Sequence, residues 1–213
     1  MWHGILNVRR VIKKLTPMKK SIFSLLLASM MIAFVSCNTK KDSTEMAEDQ
    51  NKAALDSTDR KDEKKDAEFA VAAADGGMYE VQLATLAVSK ARNADVKKYA
   101  QMMVDDHTKV NNELKSTASA KNIALPDVMS EKCQKKYYDL DEKSKDAKKA
   151  KDFDKDYIDM MVSDHKDDIS AFEKEANNGN DPELKSWAAE KLPTLRHHLE
   201  EAQRIQDVLK NKK

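Results

Sequence analysis

Y-A-Q-M-M-V-D-D-H, residues Tyr99 to His107, returns 58 residues later as Y-I-D-M-M-V-S-D-H, residues Tyr157 to His165. Six of the nine positions are identical. In each copy tyrosine, methionine and histidine recur at four-residue steps, the spacing that lines one face of a helix. Each histidine therefore falls on an apolar stripe. The repeat predicts a helical domain built from related halves.

The rest of the chain agrees with helix. Beyond residue 37 there are three glycines (Gly76, Gly77, Gly179) and three prolines (Pro126, Pro182, Pro193), with no strand-like alternation and no hairpin dipeptide. Alanine, lysine, glutamate, leucine and methionine dominate, all good helix formers. The stripes predict four long helices, over about 66–91, 94–120, 151–177 and from Pro182 to the end. Gly76-Gly77 marks either a break in the first helix or a close helix approach. Asp181 suits the cap of the fourth, with Pro182 at its first position. Pro193 predicts a kink or a restart within it.

About 30 residues separate the second and third helices, too many for a structureless loop. A short extra helix is predicted there, from about 127 to 140. Short links make the first two and the last two helices antiparallel hairpins, and the long link permits a crossover. Two hairpins joined by one crossover give the expected architecture: an all-α, ferritin-like four-helix bundle over residues 66–213.

The N-terminal part reads differently. Residues 1–17 read as an over-long start upstream of Met18. Residues 18–37 read as a lipoprotein signal: Lys19 and Lys20, an apolar run from Ile22 to Val35, then Ser36-Cys37. Cys37 is the expected lipidation site, anchoring the chain to a membrane without crossing it. Residues 38–65 are polar and lack aromatics, and read as a flexible tether. The expected location is the cell envelope, on the outer membrane or facing the periplasm.

Residues 1–37 hold six basic residues and no acidic one, which leaves 32 basic and 37 acidic, a net of −5. That balance excludes nucleic acid as a partner. The expected partners are the membrane, through Cys37, and further copies of the chain in a homo-oligomer. Cys133 is the only thiol after Cys37, so no internal disulfide is expected.

The candidate chemistry is a polar set on the stripes: Glu80, His107, His165 and His198. One comes from each long helix, and together they suit a transition metal (Fe, Mn, Zn or Cu). The competing reading is a buried polar network whose groups satisfy one another. None of the histidines completes Glu-x-x-His, because Val104, Val162 and Leu195 stand three residues before them. Asp106 and Asp164 precede two of the histidines and suit the orientation of an imidazole on a neighbouring helix. Met102-Met103 and Met160-Met161 read as packing. There is no G-x-S-x-G turn and no phosphate-binding glycine loop. The pattern favours a binding or structural module over an enzyme. The alternative is a metal-dependent redox or stress-protection enzyme that handles iron or peroxide.

Six blocks carry a family resemblance: A-E-F-A-x-x-A-A-x-G-G-M-x-E-V (67–81), A-x-x-M-V-x-D-H (100–107), M-V-x-D-H (161–165), F-E-K-E-A (172–176), D-P-E-L-K-x-W-A (181–188) and L-P-T-L-x-x-H-L (192–199). Together they resemble the bacterial family called domain of unknown function 4142, over about 66–210. The resemblance implies a ferritin-like fold, export and no established activity. It matches at Glu80, His107, His165 and His198. Cys133 stands near a position where related chains commonly carry a histidine.

Overall fold

The computed structural model describes residues 41–146, 148–149 and 152–211. The signal, Cys37 and the extension over 1–17 lie outside them. Six α-helices follow in order: α1 Ser43–Asp56, α2 Lys64–Lys90, α3 Ala94–Ala120, α4 Glu131–Lys145, α5 Phe153–Asn178 and α6 Pro182–Asn211. A single 3₁₀ turn, Lys61–Glu63, links α1 to α2. Among the described residues there is no strand, and no helix is long and apolar enough to cross a membrane.

The four long helices form a bundle. α2 packs most extensively on α3 and α5 on α6, while α2 also meets α5 and α3 meets α6. Both tight links are tied down by side chains. The Asp154 carboxylate accepts the amides of Arg92 (3.0 Å) and Asn93 (2.7 Å), and Asn93 caps α3 by accepting from the Asp95 amide at 2.8 Å. Asp181 caps α6 through the amides of Glu183 (3.0 Å) and Leu184 (2.9 Å), with Pro182 at the first helical position as expected. The far end of α3 closes on Asn122, whose φ of 58° is left-handed.

The two copies of the repeat face each other across the core in register. Tyr99 meets Tyr157 edge-on with ring centroids 6.2 Å apart, and His107 meets His165 at 5.7 Å. Like meets like at both ends of the motif, so α3 and α5 run parallel. The chain must therefore return the length of the bundle between them, and α4 fills that return, packed on α2 and α5. The repeat pairs the second helix of one hairpin with the first of the next. It is not a tandem duplication of hairpins, which would place the second copy on α6.

Two expectations are corrected. The tether expected over 38–65 is helical from Ser43 to Asp56, and α1 packs on α2. Its inward residues are Ala47, Asn51 and Leu55, one per turn. Buried Asn51 donates to the Ala124 carbonyl (2.9 Å) and accepts from the Ala124 amide (2.7 Å). Asn51→Ala would orphan both backbone groups. Urea unfolding is expected to register a loss of about 1 to 3 kcal/mol. The extra helix begins at Glu131, not 127, because Ser130 caps it and Asp75 holds Ser130 through its amide (2.6 Å) and hydroxyl (2.7 Å).

α2 runs unbroken through Gly76-Gly77. A Cβ at Gly77 would lie 2.0 Å from Asn111 Oδ1, so this glycine serves close approach of α3 and not a break. α6 likewise passes Pro193 without a restart. Pro193 and Ala189, whose carbonyl loses its donor, both face solvent.

Two apolar clusters fill the bundle. One gathers Leu83, Val96, Met103, Phe153, Ile158, Met161 and Ile205, and the other Ala70, Leu114, Phe172, Leu184, Trp187 and Leu195. In sequence, Glu80, His107, His165 and His198 fall between the two on α2, α3, α5 and α6. The bundle is thus interrupted midway by a polar layer.

A buried three-histidine cluster

All four predicted side chains meet in this layer, each 4% exposed or less. One possible ligand atom from each of His107, His165 and His198 lies within 4.8 Å of the other two. The same holds for Glu80, His165 and Asp168.

The hydrogen bonds fix which nitrogen carries each proton. His165 Nδ1 lies 3.0 Å from the Met161 carbonyl oxygen, which can only accept, so Nδ1 holds the proton. His198 Nε2 lies 2.9 Å from Asp106 Oδ2, another acceptor, so Nε2 holds the proton there. Burial pushes the pKa of both rings down, that of His198 to about 4, so each keeps one proton. What remains is His165 Nε2 facing His198 Nδ1 across 3.3 Å. Two bare lone pairs point at each other.

The third imidazole also keeps one nitrogen on an acceptor. His107 Nδ1 sits 2.9 Å from Glu80 Oε2, while its Nε2 is buried with no partner. Burial opposes a charge on either group. The Glu80 carboxylate nevertheless holds His107 above its usual pKa, and the imidazoles hold Glu80 below its own. Glu80 Oε1 has no hydrogen-bond partner and lies 3.6 Å from His165 Nδ1. Every histidine thus has one nitrogen anchored on an acceptor and the other turned inward. Such anchoring is how ligating imidazoles are oriented.

Asp106 does what its position suggested and orients an imidazole from another helix. Asp164 does not: its Oδ1 binds Lys136 of α4 at 3.0 Å. His197 is exposed, and Met103 and Met161 are core side chains. Cys133 contacts Asp75 at 3.3 Å, and burial raises its thiol to about 11, so it is not a reactive thiolate. Asp168 is the one cluster residue outside the predicted set of four. Burial, then the charge of Glu80, raises its pKa well above the carboxylate range. It lies one turn past His165, so the readable signal was His-x-x-Asp on one face.

A family model described as Domain of unknown function (DUF4142) matches residues 47–205. The chain belongs to this family. No curated protein and no solved structure matches it. The DUF4142 match begins inside α1, so the helix that composition hid is part of the family's domain, and it runs through every residue of the cluster.

Proposed function

We propose that this DUF4142 protein is an exported, lipid-anchored bundle of the cell envelope whose three-histidine cluster binds a divalent transition metal. The observation that carries the metal is the 3.3 Å approach of His165 Nε2 and His198 Nδ1, each with its other nitrogen committed to an acceptor. Two facing lone pairs repel, and a cation between them turns the repulsion into ligation. Tetrahedral zinc with bonds of about 2.0 to 2.1 Å sets its nitrogens about 3.3 Å apart. His107 Nε2 supplies the third donor. Imidazole suits Zn, Cu or Fe better than Mg or Ca. The competing reading of a mutually satisfied network leaves His107 Nε2 buried without a partner.

The parallel α3 and α5 with a crossover between them support a ferritin-like arrangement. The signal pattern over 18–37 supports export and lipidation of Cys37, which intact-mass analysis of the mature N-terminus tests. An unmodified N-terminus beginning elsewhere removes the anchor.

Elemental analysis of protein purified without a histidine tag, after metal repletion, tests the centre. One metal per chain is expected, absent from His107→Ala. Asp106→Ala keeps all three ligands but frees the His198 ring, and competition titration should show affinity 10- to 100-fold weaker. Protein that holds no metal after repletion, with the variants merely less stable, overturns the reading.

A further inference from the structure

The cluster has a space beside it. A cavity of about 30 Å³ is lined by Glu80, His107, Asp168, Phe172, Trp187 and His198 among others. It has room for about two water-sized atoms. Trp187 is 7% exposed, and its Nε1 is buried without an acceptor. An indole N–H only donates, so a residue that lines the cavity carries one unspent donor. Three imidazoles leave a fourth position at a tetrahedral metal, and a metal site that meets an external ligand keeps such a position open.

Building on the metal reading above, we infer that the cavity is a ligand pocket for a small anion of two or three atoms, of the peroxide or azide class. One end of the anion binds the metal at its fourth position, and the other accepts from Trp187 Nε1–H. The aromatic walls set the size limit. This assigns Trp187, a side chain of the second apolar cluster, a part in choosing the ligand, and it gives the redox alternative a place for its substrate.

Cobalt-loaded full-length chain provides the test, because its visible bands report what binds the metal. Cobalt is titrated first. Azide should then shift the bands saturably, while imidazole, too large for the cavity, should leave them unchanged. Trp187→Phe should weaken azide about tenfold and change cobalt affinity little. One cobalt per chain with bands indifferent to azide, or equal azide affinity in wild type and Trp187→Phe, overturns the pocket and leaves the metal site standing. Failure to bind cobalt overturns both, and it is seen before any azide is added. Should Trp187→Phe not fold, the contrast of azide with imidazole on the wild type decides alone.

Discussion

His165→Leu is expected to abolish metal binding and, in the metal-free protein, to leave stability unchanged or raise it. Most replacements of a fully buried side chain destabilise, and His165 is 0% exposed. Here the wild-type residue is itself costly without metal. Its Nε2 lone pair faces that of His198 at 3.3 Å, and a buried polar atom without a partner costs about 1 to 3 kcal/mol. Leucine is close to histidine in size and carries no polar atom, so the variant should recover about 1 to 2 kcal/mol of that. His165→Ala would confuse the result, because it adds a cavity. Urea unfolding in chelator measures this gain. The same experiment in excess metal measures the other half. Wild type at a thousand times its dissociation constant should gain about 4 kcal/mol, and the variant nothing. A chelator-treated His165→Leu protein that loses several kcal/mol would show that the imidazole is a satisfied structural group, and the metal reading would fall.

Why the fold was legible and the site only partly so is a matter of which signals are local. Tyr99, Met103 and His107 announce a helix face by spacing alone, and so do Tyr157, Met161 and His165. The caps at Asn93 and Asp181 are short-range chemistry. α1 escaped because its inward face is only Ala47, Asn51 and Leu55, and its docking bond reaches the backbone of Ala124, 73 residues away. Nothing in S-T-E-M-A-E-D-Q-N-K-A-A-L-D encodes that partner. The cluster shows the same limit. That Glu80, His107, His165 and His198 share a layer follows from the stripes. That Glu80 anchors His107 through Oε2, while Met161 and Asp106 fix the protons of the other two rings, depends on distances between helices. Asp168 shares the stripe position with Ile169 by spacing alone, and only its closeness to Glu80 and His165 brings it into the cluster.

Asp66→Ala is expected to cost about 3 kcal/mol at pH 5 and distinctly less at pH 8. Asp66 sits at the start of α2, 0% exposed, and accepts the amides of Asn180 (3.0 Å) and Asp181 (2.7 Å) in the link from α5 to α6. It pins the first long helix to the turn of the second hairpin, and bonds to a charged acceptor contribute about 1.5 to 3 kcal/mol each. The same carboxylate has a cost. Burial first, then the charges of Asp66 and Asp181, raise Glu175 to about 7 from its ordinary 4.5. A raised carboxyl pKa means that the folded state holds the proton more tightly. The associated stability is full below the unfolded value of 4.5 and is lost as pH rises through 7. At pH 5 the folded protein keeps Glu175 largely neutral, so removing Asp66 costs its bonds and relieves little repulsion. At pH 8 Glu175 is ionised, and removing Asp66 also removes one of the charges that repel it, which offsets part of the loss. Glu175→Gln should erase the difference between the two pH values. Equal costs at both, in the presence of Glu175, would mean that Asp66 acts on the turn alone.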